Sequence, residues 1–243
     1  MRVSRIFLEA RFAPGSRVDL DARTAHYVAN VLRLRDGDAL QVFNGDGGAY
    51  QATIVAVSRK AGCIEIDEFV AGDRESALDL HLALGVSRGE RMDLAIQKAT
   101  ELGVSRITPL HTARSVTKLS AERAAKRVAH WQQIAVSACE QCGRNRLPTV
   151  SSIRELPAWL AAETGGLRLV LATKANQRLT DARASAVGQV TLLIGAEGGL
   201  SDAELELATT AGFTAVSLGP RVLRTETAAL VAVALAQTTW GDL

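Results

Sequence analysis

At 243 residues, 47% of them hydrophobic and 22% charged, the chain holds enough apolar material for one large domain or two modest ones, which excludes a disordered or low-complexity protein. Its formal net charge of +2 excludes a uniformly polybasic nucleic-acid binder, and its longest unbroken apolar run, residues 228–236, is about half of what a bilayer crossing needs. Three cysteines are odd in number and too few for a disulfide framework, and residues 1–12 mix Arg2, Arg5, Glu9 and Arg11 where a secretory leader would be apolar, so the expected setting is a reducing cytoplasm.

The charge is unevenly spread. Residues 1–35 carry seven arginines (Arg2, Arg5, Arg11, Arg17, Arg23, Arg33, Arg35) against three acids (Glu9, Asp19, Asp21). Further basic clusters follow at Arg114, Lys118, Arg123, Lys126, Arg127 and at Arg144 and Arg146. Such clusters are either solvated surface or a footprint for RNA phosphates, and Arg2, Arg5, Arg33 and Arg144 are the candidate RNA contacts.

Residues 22–32 predict one helical stretch, and the rest of the first part predicts hairpins. A strand over 39–43 leads into Asn44-Gly45-Asp46-Gly47-Gly48, residues tolerant of positive φ. Residues 50–58 then alternate with an apolar face, and 59–62 turn the chain into a strand over 63–70. Such a series implies a small, closed or nearly closed β-barrel. The polar, small stretch 71–77 (AGDRESA) marks a boundary, dividing the chain into residues 1–72 and 73–243.

After that boundary the period changes. A strand over 78–86 precedes a helix over 92–102 that stops at Gly103, and short buried strands follow over 107–110, 167–173, 190–194 and 215–218. Helices near 120–141, 156–162 and 201–211 separate them. This is an α/β pattern, a parallel sheet covered on both faces.

In such a sheet ligands bind beyond the carboxyl ends of strands, which directs attention to two loops. The first reads Gly195-Ala196-Glu197-Gly198-Gly199 ahead of a helix opened by Ser201 and Glu204, a capping box. Its glycines permit positive φ and close approach of main chain to a ligand; a plain strand-to-helix turn is the competing reading. It is neither a dinucleotide fingerprint nor a phosphate loop with its lysine. The second loop runs from Leu218-Gly219-Pro220 through Arg221-Val222-Leu223-Arg224 to Thr225-Glu226, where Thr225 is placed to cap the last helix and Glu226 lies in its first turn, a position the helix dipole favours on its own account.

Other features carry less. Cys139-x-x-Cys142 lies late in a helix with no second pair, so no metal is expected. Lys98 and Glu101 read as an ion pair one helical turn apart, and His81 and His111 receive no role. The last helix, 226–240, is apolar nearly all round, which requires burial inside its domain or in a subunit interface.

The segments LLIGAEGGLSDAEL and LGPRVLRTETAA resemble the two C-terminal signatures of the bacterial ribosomal RNA small subunit methyltransferase E family of the knotted SPOUT superfamily. Lys98 to Val104, the run Glu140-Gln141-Cys142-Gly143-Arg144 ending at Pro148, and His26 with Val31-Leu32-Arg33 and Gly37-Asp38 are similar to further motifs of that family. The glycine loop departs from the family's usual Gly-Pro-Glu-Gly-Gly by having Ala196, a loss of stiffness in the free loop.

The resemblance implies a PUA-like barrel for RNA docking, a SPOUT domain with a deep trefoil knot, a homodimer joined at the knot region, and no membrane. It implies transfer of a methyl group from S-adenosylmethionine to N3 of a uridine in 16S ribosomal RNA, free or in the assembled small subunit. On that reading the donor pocket is main chain at Gly195, Gly198, Gly199, Leu218, Gly219, Leu223 and Ala228, with Thr173 beside it. Arg224 is the candidate for stabilising charge on the uracil, and Glu226 or Glu197 for accepting the proton or holding that arginine. The alternatives are a SPOUT enzyme acting on another RNA and a silent RNA-binding assembly factor.

Overall fold

A computed structural model describes residues 3–72, 74–115, 120–182 and 187–243. Arg2, an expected RNA contact, and Lys118, a member of one basic cluster, lie outside the described residues. The chain forms two compact units, Met1–Glu75 with Cys139–Leu147, and Ser76–Ala138 with Pro148–Leu243.

The first unit contains β1 (Ser4–Phe7), β2 (Arg17–Leu20), α1 (Ala22–His26), β3 (Ala39–Phe43), β4 (Ala49–Val57) and β5 (Gly62–Val70), with α1 running on into a π-helical turn over Tyr27–Val31. They make one sheet in the order β1-β3-β4-β5-β2, in which only β1 and β3 pair in parallel. Alternation puts Leu40, Val42, Ile54, Ile64 and Ile66 on the buried face, against Ile6, Ala25 and Val28. Gly45, Gly47 and Gly48 all take positive φ in the β3–β4 turn, as the glycine-rich stretch requires. β1 and β2 are the two edges of the sheet.

The second unit comprises β6 (Asp79–Gly85), α2 (Glu90–Glu101), β7 (Arg106–His111), most of α3 (Ala121–Cys142), β8 (Thr149–Val150), β9 (Arg154–Glu155), α4 (Leu156–Ala162), β10 (Leu167–Leu171), β11 (Gln189–Ile194), α5 (Asp202–Thr210), β12 (Thr214–Val216) and α6 (Thr225–Trp240). The sheet runs β12-β10-β11-β6-β7-β8, β9 also pairs with β7, and every pairing is parallel. Both faces are covered. Leu80, Leu82, Leu84, Leu192 and Ile194 face α2 and α6, while Ala83, Leu193 and Val170 face α4 and α5 with Trp159 and Phe213.

Two expected boundaries shift. β10 ends at Leu171 and β12 at Val216, so Thr173 and Leu218 belong to loops. The N-cap of α6 is Arg224 instead of Thr225, because the helical ladder already begins with the Ala228 amide donating to the Arg224 carbonyl at 2.8 Å. Thr225 is therefore the first helical residue, and it is buried. α6 buries Ala229, Ala232, Val233, Ala236 and Gln237, while Leu230, Val231 and Ala234 are half-exposed.

Candidate active site

Because the sheet is parallel, β6, β10, β11 and β12 deliver their carboxyl ends to one edge, and both glycine-bearing loops emerge there. β10 lies between β11 and β12, which separates the roots of the two loops by about 10 Å, two strand spacings.

The loop after β11 is folded tightly against its neighbour. A β-carbon at Gly85, the last residue of β6, would overlap the Ala196 amide nitrogen, and one at Gly195 would meet the Gly199 carbonyl carbon at 2.5 Å. The Gly199 amide closes a turn on the Ala196 carbonyl at 2.7 Å, with Gly199 at φ +69°. Glycine is required at 85 and 195 by contact with backbone that cannot yield, and at 199 by backbone conformation. Beside Gly199, and beside Gly219 at φ +115°, a β-carbon would meet nothing within 4 Å, so two left-handed main-chain positions border open space at this edge.

The β12–α6 loop is held at its root by the loop after β10. The Ser217 amide donates to the Gln177 carbonyl at 2.9 Å and the Leu179 amide to the Ser217 carbonyl at 3.0 Å. Thr173 is exposed in that neighbouring loop, Leu218 and Leu223 are half-buried, and Ala228 packs on the core. Val222 is 83% exposed.

The charged candidates sit in different environments. The Arg224 side chain is exposed and makes no hydrogen bond or ion pair with any described residue. Glu226 is only 9% exposed, and its Oε2 has no hydrogen-bond partner among the described residues. Glu197 is engaged: its Oε1 accepts from the Arg88 amide at 2.9 Å and lies 3.4 Å from Arg91 Nη1. Burial pushes the Glu197 carboxyl up, but the Arg88 amide, its own amide, and the guanidinium groups of Arg91 and Arg88 together hold it below the ordinary value.

Of the expected RNA contacts, Arg144 is corrected by its burial. It is 5% exposed, with Nη2 2.6 Å from Glu75 Oε2, so its charge is spent inside the fold. Arg5 is similarly committed, donating to the Arg144 carbonyl at 3.0 Å and to Asn145 Oδ1 at 2.7 Å, and also bonding Gln41. Arg33 is exposed and holds φ +58°, uncommon for a residue with a β-carbon. Cys139 is buried, its thiol pushed up to about 12 chiefly by desolvation, and among the described residues no cluster of three or more His, Cys, Asp or Glu side chains is placed to hold a metal. Lys98 and Glu101 pair at 2.7 Å. Sequence reasoning missed Gly85, Arg88, Arg91 and the part Arg114 plays, none of which belongs to a local pattern.

Residues 74–237 match the RNA methyltransferase domain family and residues 20–67 the RNA methyltransferase PUA domain family. Together with the parallel sheet and its glycine-lined edge, this defines an α/β RNA methyltransferase carrying a PUA-like domain. A methyltransferase of Legionella pneumophila, solved with the bound cofactor SAM, superposes with a TM-score of 0.96 at 40% identity, covering 100% of both chains. The ribosomal RNA small subunit methyltransferase E of Neisseria gonorrhoeae, solved bound to S-adenosyl methionine, gives 0.92 at 37% identity, again over 100% of both chains. The protein of the same name from Buchnera aphidicola strain APS is 30% identical over 99% of this chain and 95% of its own length. This chain belongs to the ribosomal RNA small subunit methyltransferase E family.

Proposed function

We propose that this protein transfers the methyl group of S-adenosylmethionine to N3 of a specific uridine in the 16S ribosomal RNA of the small subunit, in the cytoplasm and as a homodimer. The observation that carries the reading is the pair of left-handed glycines, Gly199 and Gly219, bordering open space at one sheet edge. Main chain without side chains there admits a flat, polar ligand closely, and two relatives of the same fold at 40% and 37% identity were solved with that ligand.

The donor supplies an electrophilic methyl on a sulfonium. The chain must do the rest: hold the uracil in line, remove the N3 proton, and stabilise negative charge on the ring as the N3–methyl bond forms and the sulfur–methyl bond breaks. Arg224, whose guanidinium pairs with no described residue, is suited to donate to a uracil carbonyl oxygen. Glu226, with one carboxylate oxygen uncommitted, is better suited than Glu197 to take the proton.

In this reading the PUA-like unit docks RNA, with Arg33 as its exposed contact, and the division of labour follows residues 1–72 and 73–243. The C-terminal stretch carries the trefoil knot, a reading supported by the loop after β10 gripping Ser217 on both sides just before α6. A second copy covers the half-exposed apolar side of α6, Leu230, Val231 and Ala234. Val231→Glu should then sediment as a folded monomer, and an unchanged dimer would remove that face from the interface.

The test is direct. Ribosomal RNA from a strain lacking the gene, mapped by mass spectrometry, should lack one N3-methyluridine and regain it when purified protein and donor are added. An unaltered modification map would refute the assignment.

A further inference from the structure

Arg114 lies in the segment after β7, 84 residues before Gly198 and outside both glycine-bearing loops. We propose that it is a positioning residue for the methyl donor, acting by fixing the main chain of the β11–α5 loop. The inference rests on the reading of that loop as donor-binding.

Two peptide units flank Gly199 and Leu200, and each is held at both ends. In the unit joining Gly198 to Gly199, the carbonyl accepts from Arg114 Nη1 at 2.6 Å while the amide donates to the Ala196 carbonyl at 2.7 Å. In the unit joining Leu200 to Ser201, the carbonyl accepts from the same Nη1 at 3.3 Å while the amide donates to Glu204 Oε2 at 2.8 Å. A trans peptide is a rigid plane, so pinning both of its polar groups removes its rotation. With both outer planes held, the torsions at Gly199 and Leu200 are narrowly restrained, and Gly199 holds φ +69°.

The peptide unit between them is different. The Gly199 carbonyl faces the Ala196 amide across an isolated antiparallel bridge, but the Leu200 amide hydrogen-bonds to no described residue, and a β-carbon at Gly199 would meet nothing within 4 Å. An unpaired main-chain amide held in orientation beside open space is what a polar ligand needs from a main-chain site. Arg114 also covers the loop from outside, since a β-carbon at Gly198 would come within 2.9 Å of its Cβ and 3.0 Å of its Cδ. A second tie runs from the same segment, the Ala113 amide donating to Glu204 Oε1 at 2.6 Å. Ala196 lacks the ring that would stiffen the loop covalently, so these cross-links supply its rigidity.

The test is calorimetric titration of the full-length protein with S-adenosylmethionine, beside the Arg114→Met and Arg114→Lys variants. Arg114→Met keeps the stem over Gly198 but offers no donor, and donor affinity should fall about tenfold, the loss of one charge-assisted bond at about 1.4 kcal/mol per decade. Arg114→Lys keeps the charge without the guanidinium's fixed fork and should fall between the two. Donor KM should rise in step with Kd while kcat at saturating donor stays within about twofold of wild type, a split that general loosening of the fold would not give. Wild-type donor affinity in Arg114→Met overturns the proposal, and weakened RNA binding alongside it would make Arg114 an RNA contact instead. Should Arg114→Met fail to fold, Arg114→Lys decides alone, wild-type affinity again overturning the proposal. A wild-type protein that binds no donor refutes the underlying site assignment, and this inference with it.

Discussion

Glu75 Oε2 receives both Nε and Nη2 of Arg144, at 2.7 and 2.6 Å, while its Oε1 accepts the amides of Asn145 and Arg146 at 3.1 and 3.0 Å. One carboxylate thus anchors a segment some 70 residues away and satisfies an arginine that has left water. Breaking such a buried pair from one side strands the other charge, at a cost of about 3–5 kcal/mol. Arg144→Ala should therefore lower the unfolding free energy by about 3 kcal/mol in chemical denaturation. Arg33→Ala, on an exposed side chain, should leave stability unchanged and reduce the salt dependence of RNA binding by about one phosphate contact. Equal stability of the Arg144→Ala protein and wild type would contradict this assignment.

A buried imidazole makes the second unit sensitive to acid. His81 is fully buried between Glu163 Oε1, 3.1 Å from Nδ1, and Thr108 Oγ1, 2.8 Å from Nε2, with Trp159 edge-on at 5.7 Å. A neutral ring donating from Nδ1 and accepting at Nε2 satisfies both partners. Burial first, and then Arg106, pulls His81 from its ordinary 6.5 down to about 4, with Glu163 and Asp79 pulling the other way. The unfolded chain therefore takes up a proton that the folded chain refuses. Stability from this site is intact above about pH 6.5 and is lost as pH falls toward about 4, on the order of 3 kcal/mol in all. Urea midpoints across that window should fall more steeply for wild type than for His81→Gln, and parallel curves would exclude His81 as the source.

Gly199→Val and Gly219→Val should each abolish measurable donor binding. At φ +69° and +115° a β-branched residue is strained, and its side chain would project into the space assigned to the donor. Gly85→Ala should also weaken binding although Gly85 lies outside the loop, because its β-carbon would displace the Ala196 backbone. Calorimetry on the three variants checks this, and undiminished affinity in both valine variants would move the donor elsewhere.

What the sequence disclosed and what it withheld divide along range of interaction. The mostly apolar sequences of β6 and β11, interrupted only by His81 and Thr191 in their interiors, declare strands buried on both faces, and the capping box at Ser201 and Glu204 forms as its spacing implies. β8 and β9 escape notice because two residues carry no period. The cap of α6 falls on Arg224 because capping is decided by backbone torsion, and Thr225 is the better side chain in the wrong conformation. Arg144 looked like surface charge because its partner Glu75 is 69 residues distant. Arg114 is hidden for the same reason: nothing within its own segment says that its donors will find the carbonyls of Gly198 and Leu200.

The proton and charge in the transfer step point to different residues. Arg224 caps α6 through its backbone alone and leaves its guanidinium uncommitted, so Arg224→Ala should fold normally and keep donor affinity within a few-fold. Losing a donor that acts on charge developing in the transition state costs about two to three orders of magnitude, and single-turnover methyl transfer at saturating RNA and donor should fall by that much. The two glutamates should separate. Glu226 sits in the first turn of α6 with Oε2 unpartnered, and Glu226→Gln, which preserves size but cannot accept the proton, should lose turnover with little change in donor Kd. Glu197 is already tied to the Arg88 amide and Arg91 and is held ionised, a weak base for a reluctant proton, so Glu197→Gln should act on donor affinity through the loop it anchors. A rate loss in Glu197→Gln at saturating donor, with Glu226→Gln near normal, would reverse the two roles. A near-normal rate in Arg224→Ala would reduce that residue to a contact with the RNA backbone.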